Sequence, residues 1–325
     1  MGDLRDIDVA IIGAGPTGLF AAYYAGFRGL SVAVIDTLPE PGGQITAMYP
    51  EKAIFDVGGL PSIKGRDLVA NLVAQAAPFE PQYLLGVRAE KLSFQGGLPV
   101  LRLADGNELT CGAVIVTGGL GGFTPRPLPV ADPYIGAGVV HFVPRLSDLA
   151  GHDVLIVGGG DSAFDWALSL HPVAKSITLV HRREKFRAHA ATVAQVQALP
   201  VRIVVNAQVT ALHGESRVAA AEITVDRGGI ERVPVDTVVA ALGFVADLGP
   251  LATWGLELDR RHIVVNSTMA TNLPRVFAAG DIIEYPGKVR LIATGFGEAA
   301  TAVNNAAVAI DPAAHLFPGH SSEAG

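Results

Sequence analysis

The sequence DVAIIGAGPTGLFAAYYAGFR, residues 8–28, indicates the fold of the first part of this chain. Its apolar run predicts a buried strand, and the run opens into the glycine turn GAGPTG at residues 13–18. Residues 19–28 predict a helix. A second apolar run, SVAVID at residues 31–36, predicts the next strand and ends in an acid, Asp36. Strand, glycine turn, helix and acid-terminated strand follow one another at the spacing of a dinucleotide-binding unit.

Each part of this pattern has a physical reason. Gly13, Gly15 and Gly18 permit a tight turn and a close approach of the backbone to a pyrophosphate. The following helix N-terminus offers N–H donors and the positive end of its dipole. Asp36 can accept hydrogen bonds from an adenosine ribose that carries a free 2′-hydroxyl. The alternative is a glycine turn with a purely structural role.

The pattern recurs at residues 153–180 with a different ending. DVLIVGGGDSA, residues 153–163, predicts a strand and a glycine turn, followed by a helix to about Leu170 and the strand SITLV at residues 176–180. The acid is replaced by HRREKFR, residues 181–187. Guanidinium groups bind a 2′-phosphate through charge-assisted hydrogen bonds, and two of them favour NADPH over NADH by about 3–6 kcal/mol before solvent screening. The alternative is the solvated basic start of a helix. The predicted NADPH-binding residues are Gly158, Gly160, Asp161, Ser162, Arg182, Arg183 and Arg187.

A third segment, near the end of the sequence, is predicted to complete the first dinucleotide-binding unit. TNLPRVFAAGD, residues 271–281, predicts a strand that ends in Gly280 and Asp281, followed by a helix from about Gly297 to Ala309. Alone, Asp281 would be a turn or cap residue. With the first glycine turn, it predicts the return of a split domain whose long cofactor offers sugar-alcohol hydroxyls.

The chain is therefore predicted to be α/β, with two Rossmann-like three-layer dinucleotide-binding domains, one inserted into the other. Residues 1–120 and 243–325 would form the first domain and residues 121–242 the inserted one. The crossings are predicted near residues 118–124 and 241–244. A rotation about these crossings would bring the two nucleotides together.

Composition narrows the function classes. The mean hydropathy is +0.38, but no apolar run approaches the 18 or so residues that a spanning helix needs. The N-terminal residues lack the features of a signal peptide, and a single cysteine, Cys111, excludes an intrachain disulfide and a cysteine-based metal cluster. We expect a cytoplasmic protein without metal. The net charge of −7 does not suggest nucleic-acid binding.

At this point the sequence resembles the thioredoxin-reductase fold over nearly its whole length. The resemblance includes PGGQ at residues 41–44 and AAGD at residues 278–281, besides both glycine turns and the basic run. Thioredoxin reductases of this type carry a Cys-x-x-Cys shortly before the second glycine turn, where this chain has VHFVPRLSDLA at residues 140–150. Disulfide reduction by exchange needs a thiolate. Cys111, at the head of a predicted strand 113–117, is expected to be inert.

Further segments are similar to the thioredoxin-reductase-like ferredoxin/flavodoxin–NADP⁺ reductases, which are homodimeric flavoenzymes. They are MYPEK (48–52), GGGDSAFDW (158–166), FRAH (186–189), YPGKV (285–289), TGFGE (294–298) and AVNN (302–305). The resemblance implies FAD contacts at Thr17, Asp36, Gln44, Ala89 (through its backbone), Phe123 and Asp281. It also implies that Tyr49 stacks on the isoalloxazine and that a C-terminal tail with His320, Ser321 and Ser322 covers the flavin. Family members often have Thr at position 322 and Glu at position 36.

These roles have simpler alternatives. Tyr49 could be an ordinary half-buried aromatic residue, Gln44 a loop residue, and His320 part of a disordered terminus. The implied reaction is hydride transfer between NADPH and FAD, followed by single-electron transfer to or from a ferredoxin or flavodoxin. No acid–base pair is predicted, because the cofactor performs the redox step.

An acidic partner would need a local basic patch on a chain with a net charge of −7. Candidates for the patch are Lys52, Lys64, Arg126, Arg145, Lys288 and Arg290. Three other functions stay open: an NADPH-dependent flavin reductase or diaphorase, a flavin monooxygenase, and a redox-sensing protein that binds FAD without turnover.

Overall fold

The computed structural model describes residues 7–119, 122–317 and 319, with the side chains at 122–124 and 246 excepted. The chain divides into two compact units. Unit 1 comprises Met1–Ala47, Ala53–Gly122 and Ala246–Gly325, and unit 2 comprises Met48–Lys52 and Phe123–Val245. The sequence predicted domain boundaries after residues 120 and 242. The grouping of residues 48–52 with unit 2 was not predicted.

The chain up to residue 116 forms the first elements. Its strands are β1 (Ile7–Ile12), β2 (Val32–Asp36), β3 (Ala53–Ile54), β4 (Ile63–Lys64), β5 (Gln82–Leu85), β6 (Ala89–Gln95), β7 (Leu98–Leu103) and β8 (Glu108–Val116). Its helices are α1 (Pro16–Phe27), α2 (Gln44–Met48) and α3 (Gly65–Ala76). Helix α1 begins before the predicted Leu19, because proline suits the first helical turn, where no backbone N–H is needed. Cys111 lies inside β8 rather than at the head of a strand.

The middle of the chain repeats this alternation. Its strands are β9 (Gly122–Pro125), β10 (Val139–Val140), β11 (Asp153–Val157), β12 (Ser176–Val180), β13 (Arg202–Val204), β14 (Ala207–His213), β15 (Ala220–Val225), β16 (Gly229–Pro234), β17 (Thr237–Ala240) and β18 (Phe244–Asp247). Its helices are α4 (Asp161–Leu170) and α5 (Ala190–Gln197). The basic run at residues 181–187 precedes α5 and lies in a loop, so it is not a helix start. The crossing strands β9 and β18 pair with each other.

The last segment contains β19 (Leu258–Asp259), β20 (His262–Val264), β21 (Val276–Ala278), β22 (Ile283–Glu284) and α6 (Ile292–Ile310). The predicted start of the last helix at about Gly297 was wrong, because α6 begins at Ile292. Gly295 is not a helix breaker here. It is buried in α6, and a Cβ on it would lie 2.5 Å from the hydroxyl oxygen of Thr17.

Unit 1 is built on a parallel sheet in the order β5-β2-β1-β8, with β21 on the far side of β8. Helix α1 packs against both α3 and α6, and these helices form one layer. Strands β6, β7 and the start of β8 form an antiparallel ribbon, whose buried Leu101, Leu103 and Leu109 join the same core. The strands are nearly continuous apolar runs because a parallel sheet is covered on both faces.

Unit 2 has the same plan. Its parallel sheet runs β10-β17-β11-β12-β13, and β14, β15 and β16 form an antiparallel ribbon. One core cluster contains α4 residues such as Phe164 and Trp166, and another contains residues of the ribbon such as Val209 and Ile223. The predicted α/β class with two Rossmann-like units is confirmed. None of the described helices is both long and apolar enough to cross a membrane.

Candidate functional site

The first glycine turn, at residues 13–18, is held against the end of β8. Gly13 has a φ of +111°, and a Cβ on it would lie 2.8 Å from the backbone of Gly118. A Cβ on Gly18 would lie 1.9 Å from the carbonyl oxygen of Gly13, to which Thr117 donates its hydroxyl at 2.9 Å. At Gly15, by contrast, a Cβ would meet no described atom within 4 Å. The turn therefore leaves open space beside the N-terminus of α1, which suits the pyrophosphate of a nucleotide.

Asp36 ends β2 as predicted and contacts the same turn. Its Oδ2 accepts the N–H of Ala14 at 2.6 Å, and its Oδ1 accepts the N–H of Leu38 at 2.9 Å. Each carboxylate oxygen has a second lone pair, so Asp36 can still accept a ribose hydroxyl. The residue thus both supports the turn and offers an acceptor to a nucleotide.

The loop that precedes α2 also reaches this turn. The N–H of Gly42 donates to the carbonyl of Ala14 at 2.8 Å, and a Cβ on Gly43 would lie 3.0 Å from the Cα of Gly15. The side-chain nitrogen of Gln44 would lie 3.1 Å from a Cβ on Gly119. The structure therefore brings Gln44 to the carboxyl edge of the sheet, close to the predicted nucleotide site.

The third segment, at residues 278–281, converges on α1 as well. A Cβ on Gly280, whose φ is +86°, would lie 2.9 Å from the hydroxyl oxygen of Thr17. A Cβ on Gly295 of α6 would lie 2.5 Å from the same oxygen. Asp281 follows Gly280, and burial raises its pKa, while Lys288 and Arg290 act against this rise. Thr17, Asp36, Gln44 and Asp281 thus lie around one edge of unit 1.

Sequence reasoning missed a buried charge cluster behind Gly280. Lys288 Nζ lies 2.5 Å from Glu298 Oε1, and their side chains are 0% and 4% exposed. The prediction of Lys288 as a docking residue was wrong, because a buried ammonium group cannot meet a partner. The signal was available in α6, where Glu298 occupies the buried stripe that also contains Gly295 and Ala302.

For the other predicted FAD contacts, the structure gives their surroundings but no contact with the first glycine turn. Ala89 is buried at the start of β6, next to an irregularity in the pairing with β7. Tyr49 packs against the core of unit 2, and the ammonium group of Lys52 lies 5.8 Å from its ring centre and 2.5 Å from Asp165. The side chain of Phe123 lies outside the described residues. So do His320, Ser321 and Ser322.

The second glycine turn, at residues 158–163, is equally compact. A Cβ on Gly158 would lie 2.4 Å from the carbonyl oxygen of Ala241, and one on Gly159 would lie 2.3 Å from the ring of His181. A Cβ on Gly160 would meet no described atom within 4 Å. Asp161 begins α4 and accepts the N–H of His189 at 2.9 Å, and Ser162 follows it. The open space lies at the helix N-terminus, as in unit 1.

The basic loop that follows β12 folds back onto this turn. The N–H of Arg187 donates to the carbonyl of Gly159 at 2.8 Å. Burial lowers the pKa of His181, and Arg182, Arg183 and Arg187 lower it further. The three arginines are exposed, and no salt bridge pairs them within the part of the chain that the structure describes. The structure therefore places unpaired guanidinium groups where unit 1 has Asp36.

Cys111 has the surroundings of an unreactive thiol. It is 2% exposed, and burial raises its pKa to about 12. A thiol with such a pKa carries almost no thiolate near neutral pH. Among the described residues, no group of three or more His, Cys, Asp or Glu side chains could hold a metal ion.

Comparisons with known proteins agree with this architecture. Residues 7–307 match the family model described as pyridine nucleotide-disulphide oxidoreductase. The chain is 77% identical over 320 residues to a ferredoxin–NADP reductase of Salinispora arenicola, with 98% of this chain and 99% of that relative covered. It is 48% identical over 323 residues to a ferredoxin–NADP reductase of Thermus thermophilus, with 97% and 96% covered. Its fold is similar to the crystal structure of T. acidophilum thioredoxin reductase, with a TM-score of 0.78, 29% identity, and 92% and 97% of the chains covered.

Proposed function

We propose a function for this chain from one premise: it belongs to the pyridine nucleotide-disulphide oxidoreductase family and, within it, to the ferredoxin–NADP reductases. It is an FAD-dependent oxidoreductase that exchanges electrons between NADP(H) and ferredoxin. The observation that carries this function is the presence of two open glycine turns in a chain whose single cysteine is buried. Both nucleotides can be held, and no dithiol is present to reduce a disulfide.

Unit 1 is proposed to bind FAD. The helix N-terminus of α1 would hold the pyrophosphate, Asp36 the adenosine ribose, and Asp281 the hydroxyls of the remaining chain of the cofactor. Thr17, Gln44 and the backbone of Ala89 would make further contacts. Bound FAD supplies the redox chemistry, because it accepts a hydride and passes on electrons one at a time.

Unit 2 is proposed to bind NADPH. The N–H groups at Gly160, Asp161 and Ser162 would bind the pyrophosphate at the start of α4. Arg182, Arg183 and Arg187 would bind the 2′-phosphate. Their exposure, and the lack of a salt bridge to any carboxylate in the described part of the chain, support this role. NADH would bind more weakly, because its adenosine ribose lacks the 2′-phosphate that these cations bind.

The residues around the flavin ring are proposed from the family resemblance. Tyr49 would stack on the isoalloxazine, and Phe123 and the tail with His320, Ser321 and Ser322 would complete its surroundings. These groups exclude water and orient the ring rather than exchange protons. We also propose a homodimer in the cytoplasm, with flavodoxin as a second acceptor.

Ferredoxin turnover under anaerobic conditions tests the function. The holoprotein is mixed with NADPH and purified ferredoxin or flavodoxin, and reduction of the acceptor is followed by its visible absorbance. We expect NADPH-dependent reduction of ferredoxin at a rate that falls steeply with ionic strength, because the partners meet through charge. Turnover of quinones or free flavin without any ferredoxin reduction would instead make the protein a flavin reductase.

A further inference from the structure

Glu298 and Lys288 form a buried ion pair that the reaction does not use directly. The distance from Lys288 Nζ to Glu298 Oε1 is 2.5 Å, and Tyr285 donates its hydroxyl to the same oxygen at 2.8 Å. The other carboxylate oxygen, Oε2, accepts the backbone N–H of Gly280 at 2.9 Å. One carboxylate therefore connects α6, the loop after β22 and the end of β21.

Stability alone does not account for this cluster. A buried ion pair is costly to desolvate, and apolar residues of similar size often stabilise a fold as well or better. The tyrosine and lysine of the cluster occupy one carboxylate oxygen, and the second oxygen is directed at a single N–H group. That N–H belongs to the residue that precedes Asp281. The cluster is thus built around the backbone turn that presents Asp281.

The turn at Gly280 is also packed closely against Thr17. Gly280 has a positive φ and touches Thr17 of α1, and Gly295 touches Thr17 from α6. Gly295 and Glu298 are three residues apart, so they lie on the same face of α6. Helix α6 therefore fixes Thr17 through one residue and the Gly280 N–H through the other. Thr17 and Asp281 are both proposed FAD contacts.

The charges of the cluster also act on Asp281. Burial raises the pKa of Asp281; Lys288 and Arg290 lower it, Glu298 raises it, and His262 lowers it. Arg290 is itself paired with Glu284 at 2.6 Å. Lys288 and Glu298 therefore act on the pKa of Asp281 in opposite directions.

We propose that Glu298 and Lys288 are a positioning pair for FAD: the carboxylate accepts the Gly280 N–H, and the ammonium group holds that carboxylate behind the turn that presents Asp281 to a cofactor hydroxyl. This inference rests on the proposed function only in taking unit 1 as the FAD site. Neither residue is assigned a contact with the flavin ring or with a redox partner.

FAD release from the holoprotein tests the pair. The isosteric variant Glu298→Gln keeps the shape of the side chain and removes its charge, and FAD release is followed by the fluorescence of the freed flavin on dilution. We expect the dissociation constant of FAD to rise about ten- to hundred-fold, the size of one hydrogen bond to a charged group. Glu231→Gln is the matched control, because Glu231 pairs with Arg202 in unit 2 with both side chains nearly half exposed.

The pH profile separates a positioning role from a merely structural one. In the wild type, FAD affinity should fall as pH decreases through the pKa of Asp281, because the protonated acid is a poorer acceptor. Lys288→Met should move the midpoint of this fall to higher pH, since a cation that favours ionisation is lost. Glu298→Gln should move it to lower pH, since an opposing anion is lost. Shifts in the same direction, or no shift in either variant, would overturn the proposal.

A double variant distinguishes weaker FAD binding from a loss of folding. Glu298→Leu combined with Lys288→Met removes both buried charges, so the apoprotein should keep a thermal midpoint close to that of the wild type. Its FAD affinity should stay at least ten-fold weaker, because nothing holds the Gly280 N–H. Wild-type affinity in the double variant contradicts the proposal. If the wild-type protein itself does not bind FAD, the proposed function fails instead.

Discussion

The two glycine turns of this chain have the same backbone design and opposite chemistry around it. In unit 1, Asp36 ends the second strand and accepts the N–H of Ala14 at 2.6 Å. In unit 2, the corresponding strand runs into a loop whose backbone returns to Gly159 and whose arginines face solvent. The turn of unit 1 thus has a carboxylate beside it, which the turn itself helps to hold in place. The turn of unit 2 has exposed guanidinium groups beside it.

This difference supports the proposed assignment of one nucleotide to each turn. A carboxylate beside the turn accepts hydroxyls and repels a phosphate, whereas guanidinium groups bind a phosphate and gain little from a hydroxyl. The pyrophosphate site is common to both units because it depends on the helix N-terminus alone. We therefore expect nucleotide specificity to depend on the residues after the second strand of each unit.

The largest difference between the two units is expected from substitutions at the last position of each glycine turn. Unit 1 has Gly18 where unit 2 has Ala163. Gly18→Ala places a Cβ 1.9 Å from a backbone carbonyl oxygen, so we expect loss of bound FAD and destabilisation by about 3 kcal/mol or more. The reverse change, Ala163→Gly, should cost only about 1 kcal/mol. Thermal unfolding and flavin content measure both, and equal effects of the two changes would contradict the close packing at Gly18.

The second largest effect is expected at the basic loop. Replacing Arg182, Arg183 and Arg187 by Gln should reduce the preference for NADPH over NADH about hundred-fold, because the 2′-phosphate loses its cations. The ratio of kcat/KM for the two coenzymes measures this preference. Arg232→Gln, an exposed arginine on β16, is the control and should leave the ratio unchanged. An unaltered ratio in the triple variant would show that the loop does not read the 2′-phosphate.

A smaller effect is expected at Asp36. Asp36→Asn keeps an oxygen that can accept the Ala14 N–H but removes the charge, so FAD affinity should fall by about ten-fold. Asp105→Asn provides a matched control, since Asp105 also accepts a nearby backbone N–H, that of Asn107, at 3.0 Å. Fluorescence titration of the apoproteins compares the two. Equal losses in both variants would mean that Asp36 acts only through general stability.

No effect on electron transfer is expected at Cys111. Because the thiol is buried and its pKa is raised to about 12, native protein should resist alkylation, and Cys111→Ser should reduce ferredoxin at the wild-type rate. A small loss of stability, about 1 kcal/mol, is expected from the buried hydroxyl. Loss of turnover in a folded Cys111→Ser protein would reveal sulfur chemistry that the account excludes.

Local patterns made much of the fold predictable. Both glycine turns, the acid at Asp36 and the basic run after Val180 follow from short-range periodicity and turn chemistry, and the structure places them at the carboxyl ends of parallel strands. The start of α6 was missed because Gly295 reads as a helix breaker in sequence. Its reason for being glycine is the contact with Thr17, which is 278 residues away in the chain.

Long-range electrostatics was less predictable. A lysine is assumed to be solvated unless a partner is known, so Lys288 was considered a candidate for the docking patch. Its partner Glu298 lies on another element, and only the packed unit shows the pair. The packing of Tyr49 and Lys52 with unit 2 was missed for the same reason. The roles of Phe123, His320, Ser321 and Ser322 stay predictions, because their side chains lie outside the described residues.

Anaerobic double-mixing stopped flow follows both electron-transfer steps of the proposed reaction in one experiment. Holoprotein is first mixed with NADPH and then with oxidised ferredoxin, while flavin and ferredoxin absorbance are recorded together. We expect NADPH to bleach the flavin and ferredoxin to restore its absorbance, in wild type and in Cys111→Ser alike. A flavin that NADPH reduces but ferredoxin cannot reoxidise would contradict the proposed reaction.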